Sequence, residues 1–216
     1  MSTQTVHINN QKFILHPSGS IFWSDKKVLL IADVHLGKIS HFRKFGFAVP
    51  PDSISKNFLR LAEIMDEFNP QSVCFLGDLF HSSMNNEWDL FAAWVSDIEA
   101  RIILIAGNHD IISPQRYQEL GIDVFKELTV DDFLLTHHPT ERNGLFNFSG
   151  HIHPCVLLQG KGRQFLKLPC FFHKPNQMIL PAFGEFTGTY ELVPSEDDKV
   201  YAVTKEEVIF IPKRDI

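Results

Sequence analysis

Apolar residues follow two rhythms along this chain, and the change falls near residue 122. In the first half, short unbroken apolar runs alternate with stretches in which apolar side chains return every three or four positions. Residues 28–32, 73–76 and 101–106 are runs of the first kind, expected of strands covered on both faces. Between them, residues 53–68 carry Ile54, Phe58, Leu61 and Met65 at helical spacing. Residues 86–98 likewise set Leu90, Phe91, Trp94 and Ile98 on one helical face, and Ser113-Pro114 has the chemistry to open a further helix. Ahead of these, residues 3–15 read as a hairpin turning at Asn9-Asn10. From Ile122 onward the pattern is short strands at 133–136, 146–149, 156–158, 164–172, 178–180 and 200–211. The first half is thus βαβα and the second mostly β. There is no internal repeat and no Pro/Gly/Ser linker, so the expectation is one α/β domain over residues 1–216, two packed mixed β-sheets flanked by helices.

Composition narrows the classes. Lys and Arg number 20 against 26 Asp and Glu, a formal charge of −6, which argues against a protein that coats a polyanion. The three cysteines, Cys74, Cys155 and Cys170, form neither a disulfide framework nor the paired spacing of a structural zinc site. No basic-apolar-small leader opens the chain and no apolar run approaches a membrane span, so a cytoplasmic protein without membrane contact is expected. Trp23, Trp88 and Trp94 read as packing residues rather than base-stacking platforms.

The chemistry is concentrated in five short segments, most of them just past an apolar run: Asp33-Val34-His35, Gly77-Asp78, Gly107-Asn108-His109-Asp110, Thr136-His137-His138-Pro139 and Gly150-His151-Ile152-His153. Ligands scattered in sequence but delivered to one sheet edge make a composite site. Asp33 and His35 are two apart and would point the same way on a strand. Asp78 has two oxygens and can bridge two cations, while Asn108 offers an uncharged hard oxygen. His137, with His151 and His153, themselves two apart, would supply the remaining imidazoles. Two carboxylates facing two divalent cations leave a net positive site, as a phosphate ester requires. Taken singly each segment is commonplace; all five in this order predict a dinuclear metal centre that hydrolyses phosphate esters.

This set, D-x-H, G-D, G-N-H-[DE], H and G-H-x-H, resembles the signature of the calcineurin-like metallophosphoesterase superfamily. More narrowly, the segment Leu29-Leu-Ile-Ala-Asp-Val-His-Leu-Gly-Lys38 with His41, Arg43 and Pro50 is similar to the bacterial DNA ligase-associated metallophosphoesterases, the PdeM-like group. So are Gly77-Asp-Leu-Phe-His-Ser82 and Leu180-Pro-Ala-Phe-Gly-Glu-Phe-Thr-Gly188. The resemblance implies a four-layer αββα sandwich. It implies one metal held by Asp33, His35, Asp78 and His153 and another by Asp78, Asn108, His137 and His151. It makes His109 the catalytic histidine and sets Asp110 behind it as an orienter. Manganese is the first choice of metal, with iron or zinc as alternatives, since no thiolate enforces a softer ion.

The implied activity is phosphodiester hydrolysis, of the nuclease type, in DNA repair. A DNA ligase or helicase partner comes with the family name. Lys38, Arg43 and His81 are candidate substrate contacts, as against an ordinary solvated face or a structural histidine. The alternative from the same superfamily is a phosphohydrolase of small or lipid-linked nucleotides, whose lipid-shielding insertion and arginine in place of His109 are both lacking in this sequence. A third reading is a non-catalytic scaffold on the same fold, against which the full ligand set and His109 argue.

Overall fold

Asn9 and Asn10 both adopt left-handed backbone conformation, with φ of 48° and 60°. That is the requirement of a two-residue hairpin connection, and β1 (Gln4–Ile8) pairs antiparallel with β2 (Gln11–Leu15) across it as expected. The structure, a computed structural model, describes residues 1–38, 52–81, 86–160, 162–185 and 187–216. The chain continues through β3 (Ile21–Trp23), β4 (Val28–Ile31), β5 (Ser72–Phe75), β6 (Arg101–Ile105) and β7 (Asp123–Phe125), which complete a seven-stranded sheet in sequence order. Pairing in it is antiparallel from β1 to β4 and parallel from β4 to β7.

The unbroken apolar runs are explained by what lies on each side. Leu30, Cys74, Ile103 and Ile105 point into the space between the sheets. Their neighbours Leu29, Ile31, Val73, Phe75, Ile102 and Leu104 point the other way, toward the helices. Successive strand residues alternate faces, so a strand covered twice has no polar position to spare. Among the described residues the α-helices with defined bounds are α1 (Asp52–Phe68), α2 (Asn86–Ser96) and α3 (Pro114–Glu119). They reach the core through Leu61 and Ile64, Trp88 and Phe91, and Tyr117. In α2 the expected face is rotated: Trp88 is buried and Leu90 is half exposed. Ser113 stands at the start of α3, but its hydroxyl turns to the Gln115 side chain and makes no capping bond.

The second sheet has nine strands: β8 (Leu128–Val130), β9 (Phe133–Leu135), β10 (Phe146–Ser149), β11 (Pro154–Gln159), β12 (Phe165–Lys174), β13 (Gln177–Ile179), β14 (Tyr190–Glu191), β15 (Lys199–Val203) and β16 (Val208–Ile211). The single strand expected over 200–211 is a hairpin, because the polar run 204–207 turns, with the Thr204 hydroxyl accepting the Glu206 and Glu207 N–H groups. The sheets are joined by aromatics: Phe13 meets Phe133 and Phe148 at ring separations of 5.2 and 4.9 Å, and Trp23 meets Phe133 at 4.8 Å. Such pairs are each worth about 0.5–1.5 kcal/mol beyond the area they bury.

The architecture is α/β with two mixed sheets, as expected, but its layers are unequal. A further cluster, including Val156, Cys170, Phe172, Val200 and Ala202, comes from the strands of the second sheet, and no helix among the described residues contributes to it. All three cysteines are free and buried. No described helix is long and apolar enough to cross a membrane.

One consequence governs the site. The parallel strands β4, β5 and β6 of one sheet, and β9 and β10 of the other, each deliver one of the five polar segments beyond its carboxyl end. These ends meet: the His151 N–H, after β10, donates to Asp33 Oδ2, after β4, at 2.9 Å.

Candidate metal centre

Asp33 and His35 converge, but not by strand alternation. β4 ends at Ile31, and both residues stand in left-handed conformation, with φ of 55° and 51°. Asp78, His151 and His153 do the same at 50°, 69° and 53°. Each such residue costs on the order of 1–3 kcal/mol, and survives only where its surroundings dictate it. Here they do: the Asp33, His35 and Leu36 N–H groups donate to Gly77 O, Asp78 O and Leu79 O at 3.2, 2.9 and 2.8 Å, fastening two strand-end segments side by side. Gly37 N–H donates to the buried Glu87 carboxylate at 2.7 Å. Gly77 is there for space, since a Cβ on it would strike the His137 ring.

Three overlapping clusters have ligand atoms close enough to share a cation: Asp33, His35 and His153; Asp33, Asp78 and His137; and His137, His138 and His151. Asp78 is 2 % exposed. Its Oδ1 lies 3.4 Å from His137 Nε2 and its Oδ2 lies 3.9 Å from His35 Nε2. Asp33 Oδ1 faces His153 Nε2 at 3.4 Å, and His35 Nε2 is 3.3 Å from the same His153 nitrogen. On the other side His137 Nε2 approaches Asn108 Oδ1 at 2.9 Å and His151 Nδ1 at 3.2 Å.

The proton positions decide what this arrangement fits. A carbonyl oxygen only accepts, so His137 Nδ1, 2.9 Å from Leu76 O, carries a hydrogen, as does His153 Nδ1, 3.0 Å from Gly188 O. In the neutral rings this turns the Nε2 lone pairs inward. His137 Nε2 then faces two oxygens that are themselves acceptors, which is repulsive unless a cation stands between them. Asp33 Oδ1 is buried and accepts no well-formed hydrogen bond among the described residues. Burial drives the His35 pKa down to about 2, aided by the nearby His153, Lys38, His81 and His109 charges, so that ring is neutral and available. His151 is lowered, by burial and then by His138 and His137. His153 is raised because the Asp33 carboxylate outweighs its burial. Two buried carboxylates, an amide oxygen and imidazole nitrogens without thiolate fit a pair of hard or borderline divalent cations.

The structure brings Asp33, His35, Asp78, Asn108, His137, His151 and His153 together. His138 is exposed, its ring 4.0 Å from that of His151, and it joins only the His137–His151 cluster. The His109 ring lies at the edge, 5.8 Å from that of His35 and 4.5 Å from that of His81, while the His109 backbone N–H donates to Asp78 Oδ1 at 2.8 Å. His81 is also 5.2 Å from His35. Lys38 is lowered by burial against the opposing pull of Asp78 and Asp33, which places its ammonium within the field of both carboxylates. Arg43 lies outside the described residues.

Asp110 requires a correction. Rather than orienting His109, its two oxygens accept the Phe80 and Gly107 N–H groups at 3.0 and 2.8 Å. It ties the segment after β6 to the segment after β5, a role set by tertiary placement. Burial raises its pKa despite those two donors. Glu87, holding Gly37, was also not singled out by sequence. A lone glutamate at the start of an amphipathic helix gives no sign that it will be buried.

The sequence profile of the calcineurin-like phosphoesterase family matches residues 26–185. The chain belongs to that family, and is a metal-dependent phosphoesterase. Among solved structures it is similar to the nuclease MPE of Pseudomonas putida, at 28% identity and a TM-score of 0.82, over 97% of this chain and 100% of that one. A fainter likeness is to the E. coli phosphoesterase Yfce, at 14% identity and a TM-score of 0.47, over 84% of this chain and 96% of that one. No curated protein matches the sequence significantly.

Proposed function

We propose that this chain is a phosphodiesterase that cleaves nucleic acid strands or ends with two divalent cations, manganese being the first choice. The observation that carries the reading is Asp78, one buried carboxylate whose two oxygens face two separate histidine clusters. The full-length likeness to a nuclease favours a polynucleotide over a small or lipid-linked substrate. One cation would be held by Asp33, His35, Asp78 and His153, and the other by Asp78, Asn108, His137 and His151. Bound there, such ions neutralise phosphate oxygens and make a water acidic enough to attack at neutral pH.

The protein's own groups supply the rest. The imidazole N–H of His109 donates its proton to the departing oxygen, with His81 holding the ring or touching substrate. Lys38 meets the phosphate next to the one being cut. With a net charge of −6 the chain has little general attraction for duplex DNA, so a ligase or helicase partner in a cytoplasmic repair setting fits the reading.

The test is to assay metal-stripped protein, with and without manganese, on bis(p-nitrophenyl) phosphate, p-nitrophenyl phosphate, single-stranded DNA and nicked DNA. Manganese-dependent cleavage of the diester and of DNA is expected. Diester cleavage with intact DNA would turn the reading to small nucleotides, and no turnover with any divalent metal would leave a scaffold. Lys38→Ala is expected to raise KM for DNA on the order of tenfold, the scale of one hydrogen bond to a charged group. KM for the small diester should change much less; equal effects would remove the phosphate contact.

A further inference from the structure

Residues 180–188 hold none of the expected ligands, and the described ones among them, 180–185 and 187–188, have a different task in the structure. They follow β13, so they are a sixth strand-end segment, beside the five that carry the polar motifs. Their backbone lies directly against the Asp33 turn: Phe183 N–H donates to Ala32 O at 2.9 Å and Gly184 N–H to Asp33 O at 3.0 Å. A Cβ on Gly184 would collide with the Val34 carbonyl, so only glycine permits this approach. Further along, Gly188 O receives the His153 Nδ1 hydrogen at 3.0 Å. The segment thus fixes the left-handed Asp33 peptide and the ring of His153. Both belong to the cluster with His35; Asp33 also stands near His137 and accepts the His151 N–H at 2.9 Å, whereas the Gly188 bond holds the ring of His153 alone.

What fastens this strap is one face of α1. Arg60 Nη1 donates to Phe183 O at 2.9 Å and Nη2 to Ser18 O at 2.6 Å, and its guanidinium carbon lies 4.5 Å from the centre of the buried Phe183 ring. One turn earlier, buried Asn57 accepts the Glu185 N–H at 3.3 Å. Two carbonyls and a ring face engage one planar guanidinium at once, which a single-point ammonium cannot reproduce. We infer that Arg60 is a positioning residue chiefly for one metal of the pair, acting through this strap on Asp33 and on the ring of His153 and reaching the His137–His151–Asn108 side only by way of Asp33. This rests on the dinuclear reading above and adds to it an asymmetry: one site is tuned from α1 through two of its residues, the other only indirectly through Asp33.

The experiment is a calorimetric titration of stripped wild type, Arg60→Met, Arg60→Lys and Asn57→Ala with manganese alone, alongside thermal melts of the stripped proteins. Arg60→Met is expected to weaken one of the two sites by roughly 10–100-fold, the usual effect of removing a group that orients a ligand, with the other site held within about twofold. Arg60→Lys should recover part of the loss, since it can reach one carbonyl, and Asn57→Ala should weaken the same site to a smaller degree. If Arg60→Met does not fold, the same split must appear in the other two variants. Unchanged affinities, or both sites falling together, overturn the inference. Wild type that takes up fewer than two ions overturns the dinuclear reading, and the strap with it; two ions bound with wild-type affinity in every variant overturn the strap alone.

Discussion

Replacing Asp78 with Asn is expected to abolish diester hydrolysis and to leave the protein holding fewer than two divalent ions. The substitution keeps the side chain's size, so no cavity opens at a position only 2 % exposed. One oxygen remains to accept the His109 N–H, now received at 2.8 Å by Oδ1. What is lost is the negative charge and the second acceptor, where an NH2 would now face a histidine nitrogen. Both carboxylates in the site lie near histidines of both clusters, but Asp33 meets His153 and His137 through the same Oδ1, whereas Asp78 turns Oδ1 to His137 and Oδ2 to His35. Its loss removes several kcal/mol of charge stabilisation in the transition state, or roughly three orders of magnitude in rate or more.

Two readouts separate this from simple damage. Elemental analysis after gel filtration should give a metal count below that of wild type; full occupancy with full rate would end the bridging role. Stripped Asp78→Asn should melt no lower than stripped wild type, since it relieves an uncompensated buried charge. Added manganese should then raise the melting temperature of wild type well above that of the variant.

The opposed effects of that change show which parts of the site a sequence can declare. The ligand types were legible because phosphate-ester chemistry with two cations demands few residue types, and because each segment follows a run that alternation cannot break. The geometry behind them was not. Nothing in Asp33-Val34-His35 distinguishes a strand from the left-handed turn it forms; that turn exists because Gly77, Asp78 and Leu79 carbonyls receive its N–H groups. Asp110 was misjudged for a related reason. Its neighbour His109 suggested a partner, whereas the partners are N–H groups of Phe80 and Gly107, brought in by a parallel strand. Glu87, Asn57 and Arg60 were silent because each acts on backbone far away in sequence.

In the fold, long runs and the Asn9-Asn10 turn spoke clearly, while β3, β7, β8 and β14, of three residues or fewer, are too short to show a period. Trp88 replaced Leu90 in the core because the larger ring covers Phe80 and Tyr117, at 5.4 and 5.3 Å.

His109→Ala is expected to keep both metals and to cut DNA cleavage by roughly 10²–10⁴-fold, the scale of a positioned general acid. The ring stands at the rim of the site, 4.5 Å from the His81 ring and 5.8 Å from that of His35, and the hydrogen bond from His109 to Asp78 comes from the backbone N–H, which alanine retains. The choice of leaving group then tells what the ring does. A deoxyribose oxygen needs a proton as it departs, whereas p-nitrophenolate leaves as a stable anion. If His109 donates that proton, the alanine variant should be far less impaired on bis(p-nitrophenyl) phosphate than on DNA. An equal loss on both would mean that the imidazole stabilises charge on the phosphorus oxygens instead. Loss of a metal ion would make it a ligand, against its distance from the clusters. His81→Ala, tested beside it, should lower DNA cleavage by less, because it removes the neighbour of the ring and leaves the ring itself in place.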